Sequence, residues 1–133
     1  MSHTYHHSKN SVKIWGGKPE DYQKIHDWLD QTKETFADFR HRALRHHSQG
    51  IFEAERVFGL TITTSEGKQV PVRYICEQHI KEDCGGRIPT VSDWFRNMKC
   101  EPWMSRGYKI DGTTPEEHAD KPRDLKDKET VYE

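Results

Sequence analysis

The chain has 133 residues, of which 32% are apolar and 32% are charged. Its mean hydropathy of −1.07 leaves material for one small core, and its length fits a single domain. Lysine and arginine (21) nearly balance aspartate and glutamate (22), so no global field attracts nucleic acid or an anionic membrane.

Three cysteines without a CxxC pair argue against a disulfide framework and against a cysteine-only zinc site. No apolar run approaches the ~20 residues that cross a bilayer, and the first residues lack the apolar centre of a signal peptide. We therefore expect a cytoplasmic protein.

The first 17 residues are polar, rich in histidine and closed by two glycines, which predicts an N-terminal arm. Its histidines (His3, His6 and His7) resemble a broken affinity tag, so we expect them to bind metal only adventitiously.

Helical patterns fill the domain that is predicted over residues 18–104. A first helix begins near Pro19, where proline and the acidic residues after it favour a helix start. A second runs from about Thr35 to Phe58 and a third from about Val72 to Cys84. Thr90 and Asp93 have the spacing of a capping box and begin a fourth.

A short β-hairpin is predicted between the second and third helices. Leu60 and Ile62 alternate with threonines, Gly67 provides a turn, and Val70 and Val72 alternate again. The expected fold is therefore mainly α, a compact bundle of about four helices with one short hairpin.

The last segment, residues 105–133, carries charges, proline and glycine but has no apolar period. This composition predicts a flexible charged tail, which would become ordered only on a protein partner. Neither a membrane nor nucleic acid is expected as a partner, and a homo-oligomer is left open.

The segment FADFRHRALRHHSQG concentrates histidine and arginine within the predicted second helix. With ~100° of rotation per residue, His47 and Arg40 project into the apolar arc of this helix and His46 onto its flank. The same projection directs His41 and Arg45 towards solvent.

On the third helix, His79 and Asp83 lie four residues apart on the apolar side, a spacing that presents nitrogen and oxygen ligands to one ion. If the two helices pack by their apolar faces, these residues meet His47 and Arg40. The alternative is a buried polar pair that only fixes helix register. His26 on the first helix is interpreted as a flanking polar residue.

These segments resemble a family of small bacterial and bacteriophage proteins, a domain of unknown function. The resemblance covers most of residues 3–104 and includes a closing Pro-Trp-Met. Its motifs correspond here to Arg40 to Arg42, His46-His47 with Gly50, Glu77 to His79, Glu82-Asp83, and Pro102 to Met104. It implies the domain limits but no activity.

The leading hypothesis is a metal-binding helical protein, with metal-dependent hydrolysis as its activity. The ligands of a divalent ion (zinc, iron or manganese) would be His46, His47, His79 and Asp83. Arg40 would stabilise an anionic substrate or orient a carboxylate, and Glu77 or Glu82 would supply a base. The alternative is a non-enzymatic interaction protein, such as a phage-encoded inhibitor or adaptor, in which the polar cluster is structural.

Overall fold

The computed structural model describes residues 3–108, and within this range the chain is mainly helical with one two-stranded antiparallel sheet. The predicted mainly helical class is confirmed. The elements are α1 (His3–Trp15), α2 (Glu20–Asp30), α3 (Arg42–Arg45), α4 (Ser48–Phe58), β1 (Thr61–Thr63), β2 (Gln69–Pro71), α5 (Val72–Asp83) and α6 (Val91–Phe95). Short 3-10 turns occupy Gln31–Glu34, Phe39–His41 and Pro102–Ser105.

The described chain divides after Trp94 into two compact units, and α6 ends at this division. The smaller unit contains the last 3-10 turn. From position 109 onward, the predicted flexible tail lies outside the described residues. No helix within the described range is long and apolar enough to cross a bilayer.

The core of the larger unit is small and lies between α2, α4 and α5. Tyr22, Ile25 and Leu29 recur at helical spacing on one face of α2, and all three are buried. Ile75 and Ile80 contribute the matching face of α5. The other buried core residues are Ile51, Ala54, Val70, Val72 and Cys76.

The segment predicted as an N-terminal arm is helix α1, which packs against α2 and α5. Val12 and Trp15 near its end lie against the apolar core. The buried side chains of α1 are polar: Thr4, His7, Ser8 and Ser11. Apolar periodicity does not detect such a helix, because its inner face contacts the protein through hydrogen bonds.

The predicted second helix is interrupted in its middle. α3 ends at Arg45, and the backbone of His46 (ψ 66°) and His47 (φ −162°, ψ 171°) leaves the helical region before α4 begins. His47 caps α4, because its Nδ1 accepts a hydrogen bond from the Gly50 amide at 3.0 Å. A Cβ at Gly50 would lie 2.0 Å from the carbonyl oxygen of Arg45, so the turn requires this glycine.

The two strands pair with Ile62 opposite Val70 and lead directly into α5, which begins at Val72. The capping box is present at α6. There the Asp93 carboxylate accepts a hydrogen bond from the Thr90 amide at 2.9 Å, and the Asp93 amide donates to Thr90 Oγ1 at 3.1 Å.

We expect a chain that begins at Val12 to be much less stable than the full chain. The deletion removes most of α1 together with several hydrogen bonds to α2 and α5, each worth about 0.5–1.5 kcal/mol, and it exposes the faces that α1 covers. Thermal unfolding followed by circular dichroism measures the loss. Full-length Lys9→Ala/Lys13→Ala, altered only at exposed positions of α1, is the control. Equal melting temperatures for the truncated and full chains would contradict this packing.

Candidate metal centre

Two carboxylates stand at the centre of a polar cluster beside the apolar core: Asp30 ends α2 and Asp83 ends α5. The Nε2 atoms of His46 and His79 each lie between 3.0 and 3.4 Å from an oxygen of both carboxylates. His7 Nε2 lies 3.3 Å from the other oxygen of Asp83. Three imidazole nitrogens therefore surround two acidic groups.

The cluster reaches solvent at a surface depression. His46 and His79 have no exposed surface, whereas 17% of the Asp83 side chain is exposed. A surface depression of about 320 Å³ reaches the carboxylates. Its lining residues are His6, His7, Asn10, Asp30, Lys33, His41, Arg42, Glu82 and Asp83.

Pairing with histidine keeps both carboxylates ionised. Burial acts to raise the pKa of Asp30 and of Asp83, but hydrogen bonds from His46 and His79 outweigh it and hold both pKa values far below the usual range. Burial likewise acts to lower the pKa values of His7 and His46. Asp83 and Glu82 nevertheless raise the pKa of His7, and Asp30 and Asp83 raise that of His46. A metal ion that binds here would displace the protons of the imidazole nitrogens and bind the lone pairs that held them.

The hydrogen bonds of Gln78, next to the cluster, determine which kind of atom accepts the hydroxyl proton of Ser11. The Gln78 amide nitrogen faces two acceptors, the His7 carbonyl oxygen at 2.9 Å and Glu82 Oε2 at 3.0 Å. The amide oxygen of Gln78 must then face Ser11, and this assignment follows from the contacts. Ser11 has one hydroxyl proton, which it donates to an oxygen, so its Oγ is free to accept from a third group.

The hydrogen bond to Ser11 determines which nitrogen of His26 carries the proton, and His26 in turn determines this for His79. Burial lowers the pKa of His26 to about 2, so its ring is neutral, and its Nε2 donates to Ser11 Oγ at 2.8 Å. Its Nδ1 is therefore an acceptor, and His79 Nδ1, 2.9 Å away, must donate to it. In a neutral His79 ring the Nε2 lone pair then faces Asp30 and Asp83. Only a proton or a metal ion makes that contact attractive.

His7 is oriented by a carboxylate of its own. Its Nδ1 lies 2.6 Å from Glu82 Oε1, and Asn10 Nδ2 donates to the other oxygen of Glu82 at 3.2 Å. In a neutral His7 ring the proton is held at Nδ1 by Glu82, and the Nε2 lone pair then faces Asp83. A carboxylate on the far nitrogen is the usual support of a metal-ligating histidine.

The loop that carries His46 is held from outside the cluster. Trp94 Nε1 donates to the His46 carbonyl oxygen at 3.0 Å, and the Ser48 amide donates to the Pro89 carbonyl oxygen at 2.9 Å. The break between α3 and α4 thus directs the His46 side chain inward, and it does so because His47 leaves the helix to become a cap.

Three of the four predicted ligands meet in the cluster: His46, His79 and Asp83. His47 lies apart from them, because its ring nitrogen is used by the cap of α4. The predicted base Glu82 contacts His7 as its orienting carboxylate.

The other two predicted catalytic residues lie on the surface. Arg40 pairs with Asp38 at 2.7 Å and stacks on Phe36. Glu77 pairs with Arg73 one turn earlier on α5. The arginine that reaches the depression is Arg42, whose Nη1 donates to the Asp83 carbonyl oxygen at 3.2 Å.

Sequence reasoning did not assign His7, His26, Asp30 and His41 to the cluster. One signal was present: His26 and Asp30 repeat on α2 the four-residue spacing of His79 and Asp83 on α5. His41 projects outward only from a continuous helix, and in the 3-10 turn it is 2% exposed.

Residues 2–104 match the sequence model of a family described as a domain of unknown function (DUF6915). The match confirms the resemblance to such a domain, and it runs from α1 into the last 3-10 turn. No curated protein and no solved structure matches the chain.

We expect His26 to make the folded protein sensitive to acid. Because its pKa falls from 6.5 to about 2 on folding, only the unfolded chain takes up a proton at this residue between those pH values. Its contribution to stability should therefore decrease below about pH 6.5, by up to ~1.4 kcal/mol per pH unit. Urea unfolding of metal-free wild type and His26→Gln at several pH values measures the difference.

His7 and His46, whose pKa values are raised, contribute a stability that is lost as pH rises, and they do so in both proteins. The quantity to compare is therefore the slope of the free energy of unfolding against pH. His6→Gln, altered at an exposed histidine, should keep the wild-type slope. An unchanged slope in His26→Gln would contradict a neutral buried ring.

Proposed function

We propose that this chain, which belongs to the family described as a domain of unknown function (DUF6915), binds a divalent metal ion and uses it to hydrolyse a small anionic substrate. The proposed ligands are His7, Asp30, His79 and Asp83. The observation that carries the proposal is the contact between His26 Nδ1 and His79 Nδ1, which places the proton of a neutral His79 ring at Nδ1 and leaves its Nε2 lone pair facing two ionised carboxylates.

The donor atoms support a divalent ion with mixed nitrogen and oxygen coordination. One ligand atom from each of the four residues lies within 4.8 Å of all the others. Imidazole and carboxylate ligands suit zinc, iron and manganese. The hydrogen bonds that His7 donates to Glu82 and His79 donates to His26 hold the two imidazoles in the orientation that ligation needs.

The open side of the cluster supports hydrolysis rather than a purely structural ion. An ion there would face the depression, where water could complete its coordination and where a divalent metal lowers the pKa of that water to about 7. The lining of the depression has a net charge of −1, because it contains three acidic residues (Asp30, Glu82 and Asp83) and two basic ones (Lys33 and Arg42). A divalent ion would change the local net charge from −1 to +1, which favours an anionic substrate.

We expect the purified full-length protein to bind zinc, manganese or iron stoichiometrically after reconstitution and dialysis, measured by inductively coupled plasma mass spectrometry. Asp83→Asn and His79→Gln should weaken binding at least 10-fold, because each removes a ligand while nearly preserving side-chain volume. The control is His3→Ala/His6→Ala, which removes two other N-terminal histidines. A chain beginning at Val12 is unsuitable, because it lacks His7.

A folded wild-type protein that stays metal-free with all three ions would contradict metal binding and favour an interaction protein with a structural polar network. The activity has a separate test. The reconstituted protein should hydrolyse chromogenic phosphate esters, and the chelated protein and Asp83→Asn should not. A metal-loaded protein inactive on both phosphate and carboxylate esters would contradict hydrolysis while leaving metal binding intact.

A further inference from the structure

We infer that the cluster holds a second divalent ion, bound by Asp30, His41 and His46, so that Asp30 is shared between two ions. This inference rests on the proposed function for the first ion. One ligand atom from each of the three residues lies within 4.8 Å of the other two. All three side chains are buried, with exposures of 8%, 2% and 0%.

His46 has a nitrogen that the described part of the protein does not satisfy. Its Nε2 contacts Asp83 at 3.0 Å and Asp30 at 3.4 Å, whereas its Nδ1 is buried without a hydrogen-bond partner. In a neutral His46 ring whose Nε2 donates its proton to the carboxylates, the Nδ1 lone pair has no partner among the described residues. Buried polar atoms are rarely left so, and a bound ion accounts for this one.

His41 presents a lone pair to the same region. Its Nδ1 lies 2.9 Å from Thr32 Oγ1, and that hydroxyl also lies 3.2 Å from the His41 carbonyl oxygen. The hydroxyl has one proton, so both contacts are hydrogen bonds only if Thr32 donates to the carbonyl and accepts from Nδ1–H. The proton of a neutral His41 ring is then at Nδ1, and the Nε2 lone pair is free. His41 lines the depression.

Two imidazoles and a carboxylate make three protein ligands, which is the number that catalytic zinc sites use when they keep a position open.

Asp30 is placed to serve both ions. Its Oδ1 contacts His46 and His79, and its Oδ2 faces the Lys33 ammonium at 3.6 Å. A carboxylate can bridge two ions through its two oxygens, and paired hydrolytic metals lie about 3.5–4 Å apart. Lys33 does not prevent this, because 40% of its side chain is exposed and it can turn into solvent.

The test is the number of ions bound by the full-length chain. With Zn²⁺, native mass spectrometry should find two ions in wild type and in His6→Gln, one in His41→Gln and one in His7→Gln. With Mn²⁺, electron paramagnetic resonance should show spin coupling between two ions in wild type and an uncoupled spectrum in His41→Gln. Circular dichroism verifies folding, and His46→Gln replaces His41→Gln if the latter unfolds.

The outcomes separate this inference from the proposed function. One ion in wild type at saturating Zn²⁺, lost in Asp83→Asn but kept in His41→Gln, would overturn the second site and leave the first. Two ions in both wild type and His41→Gln would overturn the assignment of His41. No ion in any protein would overturn both proposals.

Discussion

The structure depends on two largely buried carboxylates, Asp30 and Asp83, which need positive charge or donated protons around them. Burial alone would drive both towards their neutral forms, yet the histidines pull the pKa of each far below its usual range. Because these acids end α2 and α5, the two helices can pack side by side only if something compensates the acids at that point. Histidine is suited to this role, since it can supply either a proton or a lone pair.

The unusual features of the fold follow from that requirement. Helix α1 uses small polar residues instead of an apolar stripe, because it has to carry His7 and Ser11 to the cluster. The helix predicted after residue 35 breaks at His46 and His47, and the break turns one histidine inward and makes the other a cap. The polar helix α1 and the break between α3 and α4 therefore place the side chains of the cluster.

The sequence predicted the mainly helical class, and apolar spacing on α5 placed His79 and Asp83 on its inner face. It predicted that His47 and Arg40 would meet them, with His46 assisting, and of these three only His46 lies in the cluster. It could not predict α1, whose inner face is polar and whose histidines resemble a tag. It also misplaced His47, because a helical wheel assumes an unbroken helix and a cap is made only where the helix breaks.

The orientation of His79 tests this account most directly. Long-range ¹H–¹⁵N correlation spectra of the histidine rings distinguish a protonated from an unprotonated nitrogen. We predict that His79 keeps its proton at Nδ1, towards His26, in the zinc-loaded protein, and that its Nε2 resonance moves to the range of a metal-bound nitrogen. A His79 ring that carries its proton only at Nε2, unchanged by zinc, would contradict both the hydrogen-bond chain and the metal centre.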